Sequence, residues 1–282
     1  MDSSLIKNFA DIVDLGAAAH GDREMFVIGD DRTSWNEMQA RAGQVANALA
    51  AEGVAGQERV ALIDKNSVEY FEVQFGCAYR NAVTVAVNWR LAPPEMAYIV
   101  NDSQATVLIV HEEFAGHLAA FRDDLEYVTT IVVIGDGGDD TSYAAWRDAH
   151  GPDCEKLPAG DDDVSSQLYS SGTTGHPKGA ITTHHNILQN ALTAFDREGG
   201  QGLGFSRDDV FLCMFSVFAH PHELFHRSLL LGSPFVILDT MSPRVVAAAV
   251  ERFKVCWMMA VPSFYEMMLL GVKAIMRRDC DF

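Results

Sequence analysis

The chain has 282 residues, a formal net charge of −18, and hydrophobic residues at 48% of its composition. That length can bury a sizeable core as one large or two ordinary domains. Its acidity argues against nucleic acid, whose phosphates need a basic patch, and gives no reason to expect binding to anionic membranes.

The five cysteines (Cys77, Cys154, Cys213, Cys256, Cys280) are odd in number, far apart and without a CxxC. They read as reduced thiols of a cytoplasmic protein, not as a disulfide framework or zinc cage. Met1 to Asp14 carries acids and lacks the apolar region of a secretory leader. The longest apolar stretches, such as Val210–Phe215 and Val255–Pro262, are too short for a transmembrane span, so a soluble protein is expected.

In chain order, Asp31–Thr33 reads as a polar turn and Ser34-Trp35-Asn36-Glu37 as a capping box. The helix it opens carries Met38, Ala42, Val45 and Leu49 on one face and stops at Gly53. Arg59–Ile63 is a short apolar strand. Ser67 caps a second helix, with Val68, Phe71 and Phe75 at helical spacing. Val83–Val87 is the next strand, and Asn88 to Glu95 a loop into a short helix. Thr106–Val110, a helix near Glu112–Asp123, and Thr129–Ile134 complete a β-α alternation. The pattern predicts an α/β fold of mostly parallel sheets with helices on both faces.

Gly135 to Ser166 is rich in Asp, Gly and Pro, with one helical patch at Tyr143–Ala149. It reads as a surface connection, with Asp161-Asp162-Asp163 a solvated charge run and not a cation site. The expected organisation is residues 1–150 as an N-terminal β-α subdomain, 151–166 as an acidic connection, and 167–282 as a second, incomplete subdomain. There, strand Gln167–Tyr169, strand Ala180–Thr183 and a helix from about Asn186 to Phe195 come first. Strand Val210–Phe215, a helix near Glu223–Leu231 and strand Phe235–Leu238 follow. Ser242-Pro243 start a helix through Phe253, with Ser as its cap. Strand Val255–Ala260, the turn Val261-Pro262-Ser263 and a helix from Phe264 end the series.

Tyr169-Ser170-Ser171-Gly172-Thr173-Thr174-Gly175-His176-Pro177-Lys178-Gly179 packs four Ser/Thr hydroxyls, three glycines and one lysine into eleven residues. Glycines admit φ > 0 and bring backbone N–H groups close to a ligand. Successive N–H groups form an anion-binding concavity, to which hydroxyls add donors and Lys178 a full charge. It is not a Walker A loop, because Lys178 lies three residues after Gly175 instead of directly after a glycine. The bland alternative is a Ser/Thr-rich surface turn.

This run resembles the phosphate-binding signature of the adenylate-forming superfamily, which includes acyl-CoA synthetases, fatty-acid–CoA ligases, luciferases and peptide-synthetase adenylation domains. Ser170 stands where that family commonly has Thr, and His176 where it varies. Lys65-Asn66-Ser67, Asn88-Trp89-Arg90-Leu91 and Val261-Pro262-Ser263 are similar to further family segments. Met214-Phe215-Ser216-Val217-Phe218-Ala219 resembles a pocket-wall pattern, with Ser216 in place of the family histidine. The resemblance implies an ATP-dependent acid–CoA ligase, which activates a carboxylic acid such as a fatty acid through an acyl-adenylate with Mg²⁺ and CoA. It implies Ser170, Ser171, Gly172, Thr173, Thr174, Gly175, Lys178 and Gly179 on the phosphates, and Phe218, His220 and Pro262 at the acid pocket. An adenylation domain serving a carrier protein is the alternative in the same superfamily. The family's adenine, ribose, hinge and C-terminal lysine motifs have no match here. The chain thus resembles the first half of a ligase, expected to be inactive alone, with an open sheet edge prone to self-association.

His222-Glu223-Leu224-Phe225-His226 also fits H-E-x-x-H, which on a helix sets two histidines on one face for zinc. The third ligand of the longer metzincin pattern is missing, since Leu229 stands at its glycine, and Glu251 or Glu266 would have to fold back. A helix packed beside the pocket is the plainer reading; a zinc hydrolase or a non-catalytic binding fragment is the competing one.

Overall fold

A computed structural model describes residues 5–170, 175–194, 205–219 and 226–279 of the chain. Helix α1 (Phe9–His20) opens with a capping box in which Asn8 Oδ1 accepts from Asp11 N at 3.2 Å and Asp11 Oδ2 accepts from Asn8 N at 2.9 Å. Strands β1 (Glu24–Ile28) and β2 (Asp31–Ser34) pair antiparallel across a turn where Gly29 takes φ +62°. The stretch expected as a polar turn is therefore mostly strand. Only Thr33 of β2 is buried, which leaves too short an alternation to register as one.

Helix α2 (Trp35–Ala51) has the expected box between Ser34 and Glu37, and its Met38, Ala42, Val45 and Leu49 are fully buried. Strand β3 (Arg59–Ile63) leads to α3 (Val68–Tyr79), whose Tyr70 N is capped by Ser67 Oγ at 3.0 Å. The next elements are β4 (Val83–Ala86), α4 (Pro93–Asp102), β5 (Val107–His111), α5 (Ala115–Phe121, flanked by 3₁₀ turns) and β6 (Thr130–Ile134). They agree with the expected alternation.

Strand β7 (Thr141–Ser142), α6 (Tyr143–Asp148), β8 (Val164–Ser170), β9 (Lys178–Thr183) and α7 (His184–Ala194) follow. The remainder is β10 (Val210–Cys213), α8 (His226–Leu231), β11 (Phe235–Ile237), α9 (Pro243–Phe253), β12 (Val255–Met258) and α10 (Pro262–Asp279). Ser242 occupies the cap position of α9, but its side chain makes no capping bond.

The strands form a seven-stranded sheet, β7-β6-β5-β3-β4-β8-β9, and a five-stranded sheet, β12-β10-β11-β1-β2. Both are parallel except for β9 on β8 and β2 on β1. Strands β8 and β9 join the larger sheet, while β1 and β2 join the smaller one. The result is five layers. Strand alternation puts Val60 and Leu62 of β3 against α1, α2 and α3 between the sheets. Ala61 and Ile63 instead face α4 and α5 outside. The outer face of the five-stranded sheet packs Leu212 and Val236 on α9 and α10.

Helix α3 sits in the middle layer, with every residue from Tyr70 to Tyr79 buried. A helix covered all round has no polar face to spare, yet it carries Glu72 at zero exposure. Glu72 accepts from Arg147 Nη1 at 2.8 Å, Tyr143 Oη at 2.9 Å and Arg41 Nη1 at 3.2 Å. A buried carboxylate is tolerated only with such pairing. The 135–166 segment is consequently more than a surface connection: α6 buries Tyr143 and Trp146 and supplies Arg147, and β8 begins at Val164. Asp163 also departs from the solvated run, since it is half-buried and its Oδ2 accepts from Asn81 Nδ2 and Gly160 N, both at 2.8 Å. Those bonds, the Gly160 amide first, hold its carboxyl below the ordinary value.

His184, the first residue of α7, is fully buried, and its Nδ1 accepts from Phe9 N at 3.2 Å. Burial lowers its pKa below the ordinary 6.5. The unfolded chain therefore takes up the proton first, so the stability held by the neutral ring is complete above about pH 6.5 and declines as pH falls towards the lowered native value. His184→Asn keeps an acceptor for Phe9 but has no titrating ring. The melting-temperature advantage of wild type over this variant should shrink between pH 7.5 and pH 5.5, and a gap independent of pH would contradict the assignment.

Among the described residues strand β12 pairs only with β10 and is mostly half-exposed, and α10 displays Leu269 at 61% and Leu270 at 65% exposure. Such an edge and face favour pairing with other chains. Light scattering is expected to show concentration-dependent self-association, weakened by Leu269→Glu/Leu270→Glu; a monodisperse monomer at all concentrations would count against it.

Candidate functional site

Asn66 follows β3 and is buried. Its Nδ2 donates to Phe215 O at 2.9 Å and Leu238 O at 2.7 Å, and its Oδ1 accepts from Val217 N at 3.0 Å. Phe215 and Val217 follow β10, and Leu238 follows β11. The carboxyl edge of one parallel sheet is thereby stitched to the carboxyl edge of the other. In open α/β sheets, that edge is where ligands bind.

The segments singled out in the sequence gather there. Asn88-Trp89-Arg90 follows β4, the direct neighbour of β8, with Ala86 opposite Leu168. The Arg90 guanidinium lies over the Trp89 ring at 4.3 Å and the Phe218 ring at 5.3 Å, and its Nη1 donates to Ser216 Oγ at 3.4 Å. Lys65 pairs with Glu113 at 2.6 Å, and its Nζ lies 5.4 Å from the centre of the Trp89 ring. Beneath them, burial pushes the Asp64 carboxyl up to about 6, opposed by a hydrogen bond from Ser67 Oγ.

Tyr169 and Ser170 end β8, and Lys178 and Gly179 begin β9, with Tyr169 opposite Gly179 and Ser170 opposite Lys178. Ser170 and Lys178, the paired ends of these two antiparallel strands, thus lie at the same carboxyl edge. Gly175 takes φ +138°, a conformation that side chains rarely adopt. A Cβ on Gly179 would lie 2.3 Å from Gln167 Nε2 and 3.0 Å from Tyr169 Cζ, so a side chain there would have to displace the Gln167 amide and crowd the tyrosine ring. Lys178 is exposed and, among the described residues, has no carboxylate partner.

Ser171, Gly172, Thr173, Thr174, His220, His222 and Glu223 lie outside the described residues. Phe218 is half-buried beneath Arg90. Pro262, expected in a turn, is instead the exposed first residue of α10, after β12 on the same sheet edge. His226 is buried, 4.5 Å edge-on to Phe9. No group of three His, Cys, Asp or Glu able to hold a metal occurs among the described residues, and none of their helices is long and apolar enough to cross a membrane.

The family description "AMP-binding enzyme" matches residues 13–280. The chain belongs to the AMP-binding enzyme family. Its relatives in that family are acid–thiol ligases. It is 32% identical over 250 residues to the feruloyl-CoA synthase of an Amycolatopsis species, covering 84% of this chain and 45% of that protein. It is 34% identical over 181 residues to the fatty acid–[acyl-carrier-protein] ligase ScoC of Streptomyces coeruleorubidus, covering 63% of this chain and 34% of the other. Among solved structures, the anthranilate CoA ligase AuaEII in complex with anthranoyl-AMP superposes with a TM-score of 0.84 at 29% identity, over 94% of this chain and 52% of that one. This AMP-binding chain spans less than half the length of the two curated relatives.

Residue patterns reached the loop and the Lys65–Ser67 and Asn88–Leu91 segments, but not the contacts Asn66–Val217 and Arg90–Phe218. Those join residues more than a hundred positions apart, and nothing periodic marks them. Asn66→Ala should strip two carbonyls and one amide of their partner and cost about 2–4 kcal/mol in urea denaturation. A cost below about 0.5 kcal/mol, within the range of an ordinary surface change, would show that the two sheet edges do not depend on it.

Proposed function

We propose that this chain carries the nucleotide-phosphate loop and part of the acid pocket of a cytoplasmic, ATP-dependent acid–CoA ligase acting on a carboxylic acid, a fatty acid above all. The supporting observation is the pairing of Ser170 with Lys178, a lysine without a carboxylate partner among the described residues, at the same carboxyl edge that carries Arg90 and Phe218. In such a reaction the acid's carboxylate displaces pyrophosphate from the α-phosphorus of ATP, and the CoA thiol then takes the acyl group. Charge builds on the leaving pyrophosphate, and pre-placed donors aimed at it supply most of the stabilisation.

Ser170, Ser171, Gly172, Thr173, Thr174, Gly175 and Gly179 would furnish hydroxyls and backbone N–H groups, and Lys178 the charge. Mg²⁺, when bound, would neutralise charge on the phosphate oxygens. Phe218, His220 and Pro262 would border the acid. The relative named for an acyl-carrier-protein supports a second reading, in which a carrier protein's thiol replaces CoA.

Residues 1–282 hold no match to the family's adenine, ribose, hinge and lysine motifs. By themselves they should bind MgATP or pyrophosphate weakly without catalysing acid-dependent ATP–pyrophosphate exchange. Lys178→Ala removes a charge-assisted contact and should cost about 1.5–3 kcal/mol of binding by titration calorimetry. Binding unchanged in that variant would sink the loop assignment, and measurable exchange would sink the inactivity.

A further inference from the structure

We infer that Tyr98 and Asp102, on the last two turns of α4, are positioning residues that hold both legs of the phosphate loop. This deepens the ligase reading and rests on it. The leading leg is held through Tyr169, whose Oη donates to Asp102 Oδ2 at 2.6 Å and accepts from Gln167 Nε2 at 2.9 Å. The trailing leg is held through His176, whose ring stacks on Tyr98 with centroids 4.6 Å apart and planes 21° from parallel. Tyr98 Oη in turn donates to Asp102 Oδ1 at 3.3 Å, so one carboxylate receives both phenols. Burial and the Asp102 carboxylate push the Tyr169 phenol pKa up, which keeps it a donor.

Asp102 gains nothing from its own helix. It is the last residue of α4, where a negative charge opposes the macrodipole. The helix end beneath it is itself anchored: Asn101 Nδ2 donates to Asp124 O at 2.8 Å, and its Oδ1 accepts from Glu126 N at 3.0 Å. A fixed support therefore meets the loop at two points, one on each side of its tip. Fixing the chain on both sides of residues 171–174 lowers the ordering needed when an anion arrives, and that saving appears as affinity.

The test compares Asp102→Ala, Asp102→Asn and Tyr98→Leu in the 282-residue chain. Asp102→Asn keeps an acceptor oxygen for Tyr169 and should behave nearly as wild type. In the ligand-free protein, amide hydrogen exchange at Gly175, His176, Lys178 and Gly179 should quicken about tenfold in Asp102→Ala and Tyr98→Leu, with the melting temperature of Asp102→Ala unchanged. The MgATP dissociation constant should rise about tenfold in Asp102→Ala, the size of one charge-assisted hydrogen bond lost. Unaltered exchange in both variants overturns the clamp. Faster exchange with unaltered MgATP affinity reduces α4 to a structural neighbour and overturns the positioning role. Wild type that binds no MgATP overturns the phosphate reading instead, and the exchange measurement then separates that failure from failure of the clamp.

Discussion

A single side-chain amide holds the two sheets in register at the end where chemistry is expected. Asn66 offers two donors and one acceptor, and the loops after β10 and β11 present two carbonyls and one N–H to meet them. Neither a carboxylate nor an apolar residue of similar size can satisfy all three. This joint, together with the Arg90 contacts to Ser216 and Phe218, fixes the loop after β10 against the carboxyl edge of the larger sheet. Burial makes the joint matter, because groups left unpaired there pay their full desolvation cost.

The layers behind that edge obey a similar demand. Helix α3 lies between the two sheets, and its apolar surface is covered by aromatic pairs such as Phe9–Phe75 and Phe26–Phe71, whose rings stack at 5.1 and 4.4 Å. Placing Glu72 in the same helix forces a compensating cluster of Arg41, Tyr143 and Arg147. Two of those three groups come from α6, so a stretch that composition marks as solvent-exposed is drawn into the core by one buried charge. Its aspartates are used in the same way at Asp163, which ties Asn81 to the turn before β8.

The β8–β9 hairpin sits on this frame as an antiparallel addition to an otherwise parallel sheet, with Ser170 and Lys178 paired at the carboxyl edge. Gly179 lets Tyr169 lie across the hairpin, and Tyr169 reaches α4. Membership of the AMP-binding family is consistent with this placement, and the clamp from α4 adds a contact made through His176, a position where the resembling signature varies.

By itself the sequence determined the local elements. The Ser34–Glu37 box, the Ser67 cap, the Met38–Leu49 stripe and the apolar run Arg59–Ile63 are written within windows of a few residues, because capping and hydrophobic period act over that range. The Gly/Ser/Thr/Lys run shows its donors and conformational freedom in the residues themselves, and its use on phosphate stands as a proposal. Only the tertiary structure decided which strands share a sheet, that Asp31–Ser34 is an edge strand, and that α6 closes over Glu72. It alone brought Asn66 to Val217 across 151 positions and Tyr169 to Asp102 across 67. Such choices are made by burial and by pairing of polar groups between distant segments. No residue carries a mark of its partner until the chain has packed around it.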